Sequence, residues 1–232
     1  MSSAPFVKKN KPRRRRFRFN LRTFLFVAVS ISVFVAWFSN EIVKCRREQA
    51  IIEATVDRLS EEQLRILGNR NTINVYYDYQ LDEDGGIIPD AKPPAPRWIR
   101  HCFGEHMFAE IQRIDVFFTC VDDISGWEHL NGLRRINLHP YSDDTLPSGL
   151  GRLSQIEELH LSGIDELTNL DDLAGLESLK KLHLKGLPLR DLSGIGRLPD
   201  LKDLSLDSCF CLCTLNGLSE LRLESFSMDR CT

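Results

Sequence analysis

The sequence predicts an α/β solenoid: short parallel strands stacked as rungs and returning through 3₁₀ or irregular turns, preceded by one apolar helix and a small α+β segment. Three observations carry this. Stretches beginning at Ile111, Leu133, Ile156, Leu179, Leu201 and Leu218 place an apolar residue at relative positions one, four and six, at separations of 22, 23, 23, 22 and 17 residues. Between the rows a three-residue period, the 3₁₀ spacing, runs through Leu167, Leu170, Leu173, Leu176 and Leu179, through Leu189, Leu192, Ile195, Leu198 and Leu201, and through Ile124, Trp127, Leu130 and Leu133. Near the start, nine cations lead directly into an uncharged apolar stretch.

With 42% apolar and 27% charged residues among 232, the chain has the balance of a globular protein and is too apolar for a disordered one. Its net charge of -3 conceals a split. Residues 1–22 hold nine of the 30 basic residues and no acid, which leaves 21 bases (30 less nine) against 33 acids, or -12, in the rest. A general nucleic-acid binder is therefore not expected.

Residues 1–22 read as a basic cytoplasmic tail and residues 23–39 as a transmembrane helix. Seventeen helical residues span about 25 Å against a hydrocarbon core of roughly 30 Å, and snorkelling by Arg22 and Lys44 makes up the difference. A removed secretory signal is the rival reading. Its two candidate cleavage sites pair Phe34 with Ala36 and Trp37 with Ser39, each carrying a bulky aromatic where a small residue is needed, so an uncleaved anchor is expected. The basic excess before the span keeps the N-terminus in the cytoplasm and puts the remainder outside, in the periplasmic or extracytoplasmic space. A nuclear-localisation patch is the sharper reading of Arg13 to Arg16, and the apolar span that follows argues against it.

Residues 40–91 suit a juxtamembrane helix and a small strand or hairpin region. Ile42, Ala50, Ile51, Ala54, Val56 and Leu59 supply one apolar side, and Ser60 with Gln63 reads as a capping box for a second helix stopped by Gly68. Residues 72–81 alternate as a strand, with Asp84-Gly85-Gly86 turning back towards Ile87-Ile88. The acidic cluster Asp82, Glu83 and Asp84 does not fit a calcium loop, because Gln80 and Ala91 stand where its first and last carboxylates belong. Residues 92–110 begin as the extended connector Lys92-Pro93-Pro94-Ala95-Pro96. They continue as a cap helix whose apolar set is Trp98, Ile99, Cys102, Phe103, Met107 and Phe108.

Residues 111–232 form the repeat domain, about six rungs. The rows Leu179-Lys180-Lys181-Leu182-His183-Leu184 and Leu201-Lys202-Asp203-Leu204-Ser205-Leu206 resemble the leucine-rich-repeat family across roughly residues 108–228. The resemblance implies a horseshoe whose concave sheet usually holds another protein. At position nine the family usually has Asn or Cys, and the rows as aligned carry Ile164, Leu187, Cys209 and Phe226, so packing must replace an asparagine ladder. The front end, Arg16-Phe17-Arg18-Phe19-Asn20-Leu21-Arg22-Thr23 and then Val75-Tyr76-Tyr77-Asp78-Tyr79, is similar to membrane-anchored bacterial leucine-rich-repeat proteins of the planctomycete kind. That likeness implies fold and location and says little of activity.

Outward strand positions form two columns, Asp115, Asn137, His160, His183, Ser205, Arg222 and Phe117, His139, Ser162, Lys185, Asp207, Glu224. The candidate partner-binding residues are Arg113, Asp115, Arg135, Asn137, His160, His183, Lys185, Ser205 and Arg222; the bland reading is that they are the solvated side of strands. His160 and His183 stand on adjacent rungs, but zinc wants three or four ligands and His139 and Asp207 are offset, so neither a metal nor any other cofactor is expected.

Seven cysteines cannot all pair within one chain. Cys209-x-Cys211-x-Cys213 reads as core packing rather than a metal cluster, and Cys213 with Cys231 is the disulfide to expect if the domain lies outside the cytoplasm. No phosphate loop, nucleophile elbow or paired-histidine zinc motif occurs, so no enzyme is expected. The expected role is a membrane-anchored protein-interaction scaffold that binds a protein and no nucleic acid, with self-association through the edge of the last rung. A structural envelope component and an envelope-polymer hydrolase are the alternatives.

Overall fold

The computed structural model describes residues 21–58, 73–104, 106–117, 121–139 and 145–231. The Ser60 and Gln63 box, Gly68 and the basic run before Leu21 lie outside them. The chain divides into two compact units, Met1–Asn40 and Glu41–Thr232.

In the first unit, helix α1 (Leu21–Asp57) begins with a run whose 18-residue window has a mean hydropathy of 2.0 and buries none of its residues. Phe24, Phe26, Val29, Val33 and Phe34 are all exposed, which in water costs free energy and in lipid does not. Of the two serines at mid-span, Ser30 and Ser32, Ser32 Oγ is satisfied locally by donating to the Ala28 carbonyl at 2.9 Å. This stretch is a candidate membrane span or signal sequence.

The second unit is a seven-stranded sheet in sequence order: β1 (Ile73–Tyr77), β2 (Ile111–Phe117), β3 (Arg135–His139), β4 (Glu158–Ser162), β5 (Lys181–Lys185), β6 (Asp203–Asp207) and β7 (Ser225–Asp229). Strands β2 to β7 run parallel and in register, so Ile114, Ile136, Leu159, Leu182, Leu204 and Phe226 lie side by side. Five of the six apolar rows face the interior as the repeat predicts, every residue from Ile111 to Leu206 in those rows being at most 3% exposed.

The return segments are 3₁₀ turns at Trp127–His129, Leu150–Arg152, Asp171–Leu173, Ile195–Arg197 and Leu218–Glu220. Their apolar members Trp127, Leu150, Leu173 and Ile195 fill the other wall of the core. Glycine at a left-handed φ precedes four of the five turns, and a side chain at Gly194 would press against the Asp171 amide at 2.7 Å. A Cβ at Gly175 would overlap the Gly151 carbonyl, so successive returns touch through backbone.

The last rung corrects the sequence alignment. Strand β7 covers Ser225–Asp229, and Leu204 pairs with Phe226 and Leu206 with Met228. The sixth row is therefore Leu223, Phe226, Met228, at the ordinary interval of 22 from Leu201, while Leu218 belongs to a 3₁₀ turn. Arg222 precedes the strand and has no place in the outward column, which ends in Ser227 instead. Position nine of this rung is Cys231 rather than Phe226, and it is buried like Ile164, Leu187 and Cys209 above it.

The expected Cys213–Cys231 disulfide is not formed in this structure. Cys231 stacks on Cys209, whose amide donates to Cys231 Sγ at 3.4 Å, whereas Cys213 is exposed and both are free thiols.

At the other end, β1 pairs antiparallel with β2 and supplies the strand beside the first rung. The predicted hairpin shrinks to one bridge between Leu81 and Ile87, because the chain turns through a 3₁₀ segment, Asp78–Gln80, after five strand residues. Helix α2 (Arg97–Phe103) forms but buries none of its residues, Trp98 being exposed; Met107 just beyond is the fully buried member of that apolar set.

The second half of α1 docks through Lys44, Glu48, Ile51 and Thr55, one face at helical spacing, while Ala50, Ala54 and Val56 face outwards. Lys44 pairs with Glu110, and the buried Trp127 indole donates to Thr55 Oγ1 at 3.0 Å. Thr55 Oγ1 in turn donates to the Ile51 carbonyl. A polar residue therefore replaces the apolar one that periodicity favours, because the buried indole N–H needs an acceptor.

Candidate functional site

Alternation along each strand sends residues such as Leu159 and Leu161 inwards and their neighbours outwards, and the parallel register lines the outward set into columns about 4.8 Å apart. The observed central column is Asp115, Asn137, His160, His183, Ser205 and Ser227. Beside it run Arg113, Arg135, Glu158, Lys181 and Asp203 on one flank. Phe117, His139, Ser162, Lys185 and Asp207 belong to the other.

The first two rungs are already occupied. Arg113 grips Asp115 with two hydrogen bonds, Nε to Oδ1 at 2.7 Å and Nη2 to Oδ2 at 2.8 Å. It also reaches the Gly85 carbonyl at 3.1 Å and lies over the Tyr76 ring. Asp115 is 2% exposed and accepts a further bond from Asn137 Nδ2 at 2.7 Å. Arg135 donates to the Glu83 carbonyl at 3.4 Å, and its guanidinium packs where a Cβ on Gly85 would sit. The turn around Gly85 is thus fastened onto β2 and β3, and Arg113, Asp115, Arg135 and Asn137 are spent on internal contacts.

The open part of the face lies over β4 to β6. His160 and His183, paired in register, stack with ring centroids 4.1 Å apart and a 22° tilt. His160 Nε2 is 2.7 Å from Glu158 Oε1, and Arg135 Nε is 3.1 Å from Glu158 Oε2. Burial pushes the Glu158 carboxyl up, but the His160 hydrogen bond and charge, with Arg135 and Lys181, hold it at about 2. Burial, and then repulsion from His160, lowers the His183 imidazole below its usual value.

Lys185 pairs with Asp207 at 3.3 Å, and Arg230 reaches the same carboxylate. A shallow cleft of about 240 Å³ adjoins this area, lined by Gln112, Arg134, Arg135, Glu157, Glu158, Lys180 and Lys181.

His139 stacks on Phe117 and its Nδ1 contacts Ser162 Oγ. A serine beside an imidazole is the start of a nucleophile and base pair. No acid is hydrogen-bonded to this imidazole among the described residues, and the nearby Asp115 accepts instead from Arg113 and Asn137. Burial lowers the His139 pKa, and Asp115 opposes it only through its charge.

Glu158 is the residue that sequence reasoning missed. Its signal was present in Glu158-Leu159-His160, where two residues' separation on a strand means the same face.

In-register parallel rungs, 3₁₀ returns and a single stack of inward leucines define a leucine-rich-repeat solenoid. No protein-family model matches the chain, and no curated protein matches it. Among solved structures, an internalin, InlF, from Listeria monocytogenes str. 4b F2365 is similar with a TM-score of 0.44 and 25% identity, over 52% of this chain and 35% of that one. The assignment of class rests on the register and burial of this chain's own rows.

Proposed function

We propose that the chain is a single-span membrane protein that presents its repeat domain outside the cytoplasm as a scaffold for a protein partner. Residues 1–22 would form the cytoplasmic tail, 23–39 the anchor, 40–110 the link and cap, and 111–232 the presenting domain. The observation that carries the reading is the unfilled half of the polar face. The turn around Gly85 covers β2 and β3, while His160, His183, Lys185 and Ser205 stand half-buried or exposed in fixed columns on a rigid ladder. Preorganised polar groups of this kind bind with little ordering cost.

Crosslinking in native membranes tests it. The wild-type chain should capture one discrete protein, and a His183→Ala, Lys185→Glu chain that keeps its thermal unfolding profile should lose it. Equal capture by both chains would remove this face from the account.

A second reading, a structural envelope component that self-associates, is favoured by β7. Phe226 and Met228 are 42% and 48% exposed, although the equivalent Leu204 and Leu206 are buried one rung earlier. A second copy pairing along that edge would cover them. Light scattering of the full chain in detergent should then show a dimer that Phe226→Lys dissolves, and monomer alone at every concentration would end this reading.

A further inference from the structure

We propose that Glu158, His160 and His183 form a site for a borderline divalent transition metal, zinc above all, on the polar face of the sheet. The two imidazoles come from directly paired positions of β4 and β5, and Glu158 lies two residues before His160 on the same face. One ligand atom from each of the three residues lies within 4.8 Å of the others. Zinc bonds of about 2.0 to 2.2 Å in a tetrahedron put ligand atoms roughly 3.3 Å apart. Closing that gap would take side-chain rotations about residues that stay on their strands, β4 and β5.

Two imidazoles and one carboxylate suit zinc, copper or nickel better than calcium or magnesium, which favour all-oxygen shells. Three protein ligands leave the fourth position for water or for a group brought by a partner. All three residues are half-buried, so an ion can reach them from solvent.

The outer partner is in place. Arg135 holds Glu158 Oε2 and leaves Oε1 turned to the His160 imidazole, the role that second-layer residues play around carboxylate ligands. The same guanidinium and the neighbouring Lys181 are cationic, so this site binds more weakly than a closed thiolate site. The third donor is neither His139, stacked on Phe117, nor Asp207, held by Lys185 and Arg230.

The site stands whether or not a protein occupies the face. Its test uses the full chain in detergent, stripped of metal and titrated with zinc chloride alone, then with cobalt(II). A single ion should bind, the cobalt spectrum should show nitrogen and oxygen ligands without thiolate charge transfer, and the imidazole resonances of His160 and His183 should shift with zinc while those of His101 and His129 stay. His160→Ala, His183→Ala and Glu158→Gln should each weaken binding by about tenfold or more. Unchanged affinity in the His160→Ala, His183→Ala double variant, a thiolate band, or stationary His160 and His183 resonances would overturn the site. The resonance measurement needs only the wild-type chain and therefore decides even where a variant does not fold.

Discussion

The first and last parallel rungs carry apolar residues at the same positions and differ in what lies beside them. Ile111, Ile114 and Val116 on β2 are at most 2% exposed, whereas Phe226 and Met228 on β7 are nearly half exposed. Strand β1 flanks β2, and Ile51 and Ile52 of α1 join the core. Beyond β7 no strand pairs among the described residues. A rung makes an apolar surface on both of its sides, so its burial is a property of its neighbours and not of its own row.

The largest expected effect breaks that comparison most directly. Leu182, fully buried between two rungs, should cost about 3 kcal/mol as Leu182→Ala, and Phe226→Ala should cost under about 1 kcal/mol, both read by chemical denaturation. Equal losses would mean that something covers β7 in solution.

The capped end holds a titratable group that sharpens the contrast. Burial, with repulsion from Glu110 and Glu41 against attraction from Lys44, raises the Glu48 carboxyl from 4.5 to about 7, and Cys45 and Tyr77 face it. The folded state thus holds this proton more tightly than the unfolded chain. Its contribution falls as pH rises from about 4.5 to 7, and the penalty is complete above 7. The depressed imidazoles of His139 and His183 act in the opposite direction near the same pH, so the wild-type curve alone mixes the two. Glu48→Gln should stabilise the protein by on the order of 2 kcal/mol at pH 8 and much less at pH 5, since one pKa unit is about 1.4 kcal/mol. A gain that does not change with pH would refute the assignment.

A loss smaller than that of Leu182→Ala is expected at a second contact of the capped end, between Thr55 and Trp127. Thr55→Val removes the acceptor of the buried Trp127 indole and should cost about 1 to 2 kcal/mol, with the indole emission changed. No loss would mean that the indole finds another acceptor.

Much of this was legible from the amino acids. Leucines at one, four and six, and the three-residue period between them, specify strand and 3₁₀ return because each periodicity suits one backbone geometry. The misplaced last rung shows the limit. Leu218, Leu221 and Leu223 imitate a strand row by spacing alone. The better marker was Gly217-Leu218, which repeats Gly126-Trp127, Gly149-Leu150 and Gly194-Ile195, the left-handed glycines that open the returns. On the polar face, His160 beside His183 followed from the interval between rows. The commitment of Arg113 and Arg135 to the turn around Gly85 did not, because that contact joins residues with no shared period.

Sequence by itself determined the rung, its length, its inward row and the apolar helix ahead of it, since these depend on local periodicity and on the cost of leaving leucine in water. Tertiary structure alone decided which half of the polar face stays open, that Glu158 turns towards the His160 imidazole stacked on His183, that Cys231 meets Cys209, and that Thr55 rather than an alanine faces the core. Those outcomes depend on which distant side chains arrive at the same place, and local periodicity carries no record of that meeting.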